Sequence, residues 1–405
     1  MSNKTIPNVK GKSITDKRPQ GWKAKRLGDL VNIISGNSPD KQSLHLKGIY
    51  PYLKVEDLNN NSKYQKTSRE YTDLEKNLIP EYSIIFPKRG AAILNNKVRI
   101  SKVKAQIDSN LMAIFPLDEQ LDSEFLYYKI SQIELYKIAD TSTIPQINNK
   151  HIIPYKVLLP PISEQQSIVK ILASWDEALS ITQNLISALQ NRNKGLMQQL
   201  LTGKRRIPAF AKKKWRKLAA NEVFKSISNK NTDGEILLSA TQDKGIIPRT
   251  MLEARVTMPT GDVNSFKLVE RGDFVISLRS FQGGIEYSEY RGIVSPAYTV
   301  LKPKREISPR FYKHYFKSYD FIGHLAVAVI GIRDGKQVSY EDFSMIKLPH
   351  PSLEEQDTIA SVLDDASREI EYYKSKLEYL QQQKKYLMQK LLTGEVRVKT
   401  PEPAA

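Results

Sequence analysis

Two stretches of the chain carry an apolar residue in a strict four-three alternation. The first runs Ile168, Leu172, Trp175, Leu179, Thr182, Ile186, Leu189, Asn193, Leu196 and Leu200. The second runs Ile359, Leu363, Ala366, Ile370, Tyr373, Leu377, Leu380, Lys384, Leu387 and Leu391. This is the a/d seam of a coiled coil, held for about five heptads. The polar interruptions, Asn193 and Lys384, fall at equivalent places, where polar residues set register at a cost in stability. Prolines precede each stretch. Ser163 with Gln166, and Ser352 with Glu355, fit a capping box, and Gly203 and Gly394 stand where a C-terminal cap is needed. The pattern predicts two helices, each of ~36 residues and roughly 54 Å long at 1.5 Å per residue.

The two stretches are copies. From Gln165/Gln356 to Gly203/Gly394 they align without a gap at an offset of 191, with 13 of 39 positions identical, anchored by LMQQLLTG against LMQKLLTG. Tandem copies tend to associate about an approximate two-fold axis, which would run the helices antiparallel. The other reading is two independent core helices.

Ahead of each helix lies a segment of alternating and β-branched runs bounded by Gly, Pro, Asn and Asp, the mark of short strands. Each opens with Trp in a basic context, GWKAKRLGDLVNII and KWRKLAANEVFKSI. Each has a central strand run with a basic turn, SIIFPKRGAAIL and GDFVISLRSFQGGIEYS, and a second strand run, DSNLMAIFPL and VSPAYTVLKP. An aromatic helix follows, DSEFLYYKISQIELYKI and SPRFYKHYFKSYDFIGHL, then a turn-rich patch, TSTIPQINNKHI and GIRDGKQVSYEDF. The expected architecture is α+β: two mixed α/β domains separated by two long helices packed as an antiparallel coiled coil, with a pseudo-two-fold internal repeat. The expected division is a disordered basic tail over 1–20, a first domain over 21–158, a helix over 159–203, a linker over 204–214, a second domain over 215–347, a helix over 348–394 and a tail over 395–405.

Composition narrows the function. The net charge is +18, which points to a polyanionic partner, because Lys and Arg release counterions when they neutralise phosphates. Cysteine is absent, which excludes disulfides, thiolate zinc sites and a cysteine nucleophile. The five His are scattered, with no HExxH pair. There is no phosphate-binding P-loop, no dinucleotide fingerprint and no Asn/Asp-Pro-Pro-aromatic string of an amino-methyltransferase. The pair Asp364-Asp365 reads as a solvated helix face. The polar, basic start and the lack of ~18 consecutive apolar residues make the cytoplasm the expected compartment and a membrane an unexpected partner.

Side chains able to present hydrogen bonds to base edges are the candidates for reading a nucleic acid, with Arg suited to guanine and Asn or Gln to adenine. In the first domain they are Lys54, Asn59, Asn60, Lys63, Tyr64, Lys88, Arg89, Asn95, Asn96, Lys97, Arg99, Thr143 and Gln146. In the second they are Arg249, Arg255, Arg279, Ser280, Gln282, Tyr287, Arg333, Lys336 and Gln337. The strings Lys88-Arg89-Gly90 and Phe281-Gln282-Gly283-Gly284 stand out, since they join such side chains to backbone that can approach a ligand closely.

Taken in order, these elements resemble the specificity (S) subunits of type I restriction–modification enzymes over nearly the whole chain. The resemblance is carried by Leu159-Pro160-Pro161, Glu164-Gln165, Leu200 to Gly203, and by Glu355-Gln356 and Leu391 to Gly394. PYLKVEDL (51–58) and LLSATQDKGIIPR (237–249) look like family elements of target-recognition domains. The second corner departs from the pattern, reading Leu348-Pro349-His350-Pro351, with two extra residues before the helix. The resemblance implies a non-catalytic subunit that recognises a bipartite, asymmetric site in double-stranded DNA. It implies two DNA methyltransferase subunits using S-adenosylmethionine on adenine, and two translocase–nuclease subunits using ATP and magnesium. No cofactor or metal is expected on this chain. Alternatives are a specificity subunit of a type IIB-like or methylation-only complex, or a free-standing coiled-coil DNA-binding scaffold.

Overall fold

The computed structural model describes residues 18–38, 44–60, 62–142, 144–230, 234–252, 264–329 and 338–399. The chain divides into two units, Met1–Ile181 with Leu377–Ala405, and Thr182–Lys376. The expected basic tail lies almost wholly outside the described residues.

In the first unit, strand alternation explains the near-continuous apolar runs. A five-stranded sheet takes Val31–Ser35, Leu111–Pro116, Ile84–Pro87, Arg99–Ser101 and Tyr64–Gln65 in that order, antiparallel except for the last pair. Ile84, Phe86, Met112 and Ile114 point into a core shared with the helix Ser123–Ile133 and with the long helices. Their neighbours Ile85, Leu111 and Ala113 point to the opposite face, into a second core with Leu53, Leu58 and Ile107. Both faces are buried at the centre of the sheet, which makes the strands Ile84–Pro87 and Leu111–Pro116 wholly apolar. A three-stranded sheet of Tyr71–Thr72, Tyr50–Leu53 and Gln106–Ile107 flanks them.

The second unit repeats the plan with different side chains. Its four-stranded antiparallel sheet takes Phe224–Ile227, Thr299–Pro303, Phe274–Ile276 and Glu286–Tyr287 in that order. One face is packed with aromatic rings, among them Phe224, Phe274, Tyr312, Phe316 and Phe343. The other face is small and aliphatic: Val269, Val275, Val294 and Val300. The expected single aromatic helix is broken here into Pro309–Tyr315 and Tyr319–Val329. The Ser318 hydroxyl donates to the carbonyl of Tyr315 at 2.7 Å and accepts from Phe321 N at 3.2 Å, ending one helix and capping the next. In the first unit the corresponding helix stops at Ile133 because Glu134 takes φ 58°.

The long helices span Ile162–Leu200 and Leu353–Thr393. Every seam position is buried or half-buried. Lys384 finds Asp176 on the facing helix, and Arg192 finds Glu369 at 2.5 Å. Early residues of one helix thus face late residues of the other, and the pair is antiparallel. Gly203 and Gly394 have φ +71° and +74°, and Val396 N donates back to Lys390 O at 3.2 Å, closing the last turn.

The capping boxes are not formed. Glu164 N and Gln165 N both donate to Pro161 O, so Ser163 already lies inside the first helix. The Ser352 hydroxyl is buried without a hydrogen-bond partner among the described residues, and the Glu355 carboxylate is engaged elsewhere. The two carboxylates serve a corner instead. Trp22 Nε1 donates to Glu164 at 3.0 Å, and Trp215 Nε1 to Glu355 at 2.9 Å. Arg397 makes a two-pronged pair with Glu164 at 2.7 and 2.9 Å, and Arg206 with Glu355 at 2.8 and 2.9 Å. Gln165 accepts from Asp122 N and donates to Pro160 O, while Gln356 accepts from Ser308 N and donates to Pro351 O, every bond 2.9 Å. The 191 offset therefore continues from Arg206/Arg397 back through Pro160/Pro351. The corner at 348–351 carries no inserted residues: His350 takes the place of Leu159, and both start their helices alike.

Candidate nucleic-acid interface

The first domain has an exposed tip built from two distant segments. Strand Ile84–Pro87 ends in Lys88-Arg89-Gly90. Lys88 N donates to Asn110 O, Ile147 N to Lys88 O, both at 2.8 Å, and Gly90 N to Pro145 O at 2.9 Å. Arg89 and Gln146 are bridge partners. Gly90 takes φ +82°, a region that an L side chain rarely adopts. Arg89 is exposed, and neither its side chain nor that of Gln146 has a hydrogen-bond partner among the described residues. Burial pushes the Lys88 ammonium down, against the pull of Asp108. A free guanidinium and a free amide on one rigid turn suit the edges of guanine and adenine.

Most other candidates of this domain are engaged internally. Asn59 accepts from the Lys97 ammonium. Arg99 donates to Leu58 O and Val98 O at 2.8 Å and to Asn60, and burial pushes its guanidinium down. Asn96, at φ 47°, donates to Ser131 O at 2.8 Å and accepts from Leu135 N at 3.0 Å. Lys63 donates to Glu124 at 2.8 Å and to the Tyr128 hydroxyl at 2.9 Å, Tyr64 donates to Glu124, and Tyr128 donates to Asp176 on the first long helix. Lys54 pairs with Glu70. Asn95 is exposed. Thr143 lies outside the described residues.

In the second domain, strand Phe274–Ile276 leads to Arg279 and a short helix, Ser280–Gly283. Ser280 is buried and its hydroxyl accepts from Ser277 N at 2.8 Å. Arg279 and Gln282 are exposed. Gly284 takes φ +79°, and a Cβ there would sit 1.9 Å from Phe316 O, so only glycine fits. Lys317 ties this turn down, donating to Gly283 O at 2.8 Å, Gln242 O at 3.2 Å and the buried Glu286 at 2.6 Å. A groove of about 580 Å³ opens beside it, lined by Gln242, Met251, Tyr287, Tyr290, Lys313 and Lys317. Lys313 lies over the Tyr287 ring at 5.3 Å. Arg249 has a buried Nε without a hydrogen-bond partner among the described residues. Arg255, Arg333, Lys336 and Gln337 lie outside the described residues. Sequence reasoning passed over Gln242 and Lys317; Gln242 sits in the turn ATQDKG between two strands, a signal that could have marked it.

Asp364 is no solvated face. It pairs with Arg310 at 3.1 Å and His314 at 2.7 Å, docking the second domain's aromatic helix on the long helix as Tyr128 and Asp176 do in the first. Among the described residues, no group of three or more His, Asp or Glu could hold a metal, and no helix is long and apolar enough to cross a membrane.

The family model for the type I restriction modification DNA specificity domain matches twice, over residues 19–191 and 212–382. The MjaX and MjaVIII type I restriction enzyme specificity subunits of Methanocaldococcus jannaschii are each 26% identical over 94% of this chain, covering 95% and 94% of their own lengths. Among solved structures, one titled for complex assembly and conformational transition of the type I R-M system shares the fold with a TM-score of 0.62 at 17% identity, covering 94% of this chain and 100% of that one. The S subunit from M. genitalium shares it with a TM-score of 0.54 at 16% identity, over 93% and 97%. The chain belongs to the type I restriction–modification DNA specificity family, the non-catalytic recognition subunits of those enzymes.

Proposed function

We propose that this specificity subunit reads a bipartite, asymmetric site in double-stranded DNA, one short half-site per recognition domain. The reading heads are taken as residues 21–158 and 215–347, and the paired helices as the spacer that fixes the unread gap. One observation carries this reading: two unlike tips, Lys88–Gly90 with Gln146 and Arg279–Gly284 with Gln242, belong to two domains whose corners match bond for bond. Like supports under unlike tips suit a site whose halves differ in sequence. Binding then positions partner catalysts: two adenine methyltransferase subunits using S-adenosylmethionine, and two ATP- and magnesium-dependent translocase–nuclease subunits.

The test is to insert four residues, one helical turn, into each long helix between its corners. Mapping modified adenines should then reveal a changed spacer between unchanged half-sites. Methylation confined to the original spacing would sink the proposal.

A further inference from the structure

We infer that the two-stranded ribbon at the root of each recognition domain is a binding site for the DNA phosphate backbone, distinct from the tips that read bases. The inference rests on the DNA-reading function proposed above.

The ribbons are Lys23–Arg26 paired antiparallel with Lys156–Leu159, and Arg216–Ala219 paired with Lys347–His350. Residues opposed across an antiparallel pair share a face. In the first ribbon Val157 and Leu159 face the core, and Arg26 stands directly across from Lys156 on the outer face. In the second, Leu218 and Leu348 face the core, and Lys217 lies diagonal to Lys347 on the outer face. All four cations are exposed, and none makes an ion pair or hydrogen bond among the described residues. Elsewhere the polar network is closely paired, as at Lys63, Arg206, Lys317 and Lys384.

Like charges opposed across a strand pair destabilise it. An anion lying over the first ribbon relieves the repulsion between Arg26 and Lys156; the second ribbon repeats the basic position, Lys347 at the 191 offset from Lys156, with Ala219 directly across and Lys217 on the diagonal. The second ribbon also continues a basic run: eight of the 14 residues from 204 to 217 are Lys or Arg and none is acidic. His350, across from Arg216, is pushed down by burial and by the charges of Arg305 and Arg216, which reports positive potential at this ribbon. The four strands hold no Asn, Gln, Ser or Thr able to read a base edge. A surface of one sign without amide or hydroxyl groups suits a regular polyanion and supplies affinity without sequence.

The test is the quadruple variant Arg26→Gln, Lys156→Gln, Lys217→Gln, Lys347→Gln in the full chain. Binding is measured across a salt series to two duplexes of equal length, one carrying the site mapped from modified adenines and one scrambled. The plot of log K against log salt should become shallower by about 2 to 4 on both duplexes, while their affinity ratio changes less than about twofold. A smaller slope change overturns the inference, as does an unchanged slope with loss of a co-purifying methyltransferase, which would assign the ribbons to a protein partner. If the quadruple variant does not fold, each double variant is read alone and should show about half the slope change. Wild-type protein that fails to distinguish the duplexes would refute the reading function itself; wild-type discrimination with an unmoved slope would refute only the ribbons.

Discussion

The corners and the tips of this molecule differ in how far repetition constrains them. At the corners, Trp22, Glu164 and Arg397 match Trp215, Glu355 and Arg206 atom for atom, and Gln165 matches Gln356. At the tips, an Arg-Gly turn bridged to Gln146 in one domain is replaced by a short helix pinned by Lys317 in the other. A buried carboxylate must have its partners or the fold loses several kcal/mol, so the corner tolerates no drift. An exposed side chain at a turn costs little to change, so the tip is free to diverge.

The largest break in this comparison should come from Glu355→Ala. It leaves Arg206 and the Trp215 indole without their acceptor beside a fully buried position, and should cost about 3–5 kcal/mol by chemical denaturation. Glu164→Ala should cost less, roughly 2 kcal/mol, because Arg397 is nearly half exposed and water replaces part of the lost pair. Equal losses would show that exposure does not separate the corners. Arg89→Ala should show the reverse pattern: stability within about 0.5 kcal/mol of wild type, but target binding weakened by about 1–3 kcal/mol with relaxed preference at one base pair. A melting curve and a binding titration on single-base variants check both.

Two acids sharpen the contrast between the domains. Burial opposes the charge of Glu124, but hydrogen bonds from Lys63 and Tyr64 and the charges of Lys63 and Lys102 outweigh it and hold the carboxyl below its ordinary range. Its stabilisation is present above the unfolded value and is lost as pH falls through the folded one. Burial instead pushes Glu286 up despite Lys317. Its charged form is disfavoured in the fold, so that penalty fades as pH falls. Stability measured from neutral to acid pH should therefore show Glu124→Gln closing its deficit toward wild type as pH drops, with Glu286→Gln shifting in the opposite sense.

A separate effect at alkaline pH concerns Lys129, which donates to Leu392 O at 2.8 Å from a buried position that pushes it down to about 8. The unfolded chain binds this proton more tightly between about 8 and 10.5, so the group adds stability as pH rises through that window. Lys129→Met should remove that rise, as seen in denaturation midpoints at alkaline pH.

The helices were legible because a four-three repeat survives any context, and because LLTG recurs at one offset. The seam residues Asn193 and Lys384 stood out as polar, but nothing in their spacing named Ser367 or Asp176 as partners. The first capping box misled because the helix already starts at Ile162, ahead of Ser163, and the second because Glu355 obeys a longer-range demand from Trp215, more than 100 residues away. The apparent insertion at 348–351 misled because proline was matched to proline, whereas strand register equates His350 with Leu159. Among the candidate readers, residue type could not separate Arg89, which has no side-chain partner among the described residues, from Arg99, which is held by backbone carbonyls.

Arg206 lies in the first repeat yet closes the corner formed by Trp215 and Glu355, and Arg397 in the second repeat closes the corner of Trp22 and Glu164. Each half of the polypeptide thus carries a complete set of Trp, Glu and Arg but lends its arginine to the other half's set. Either half alone would leave its buried glutamate without an arginine, so each half is complete only in the presence of the other.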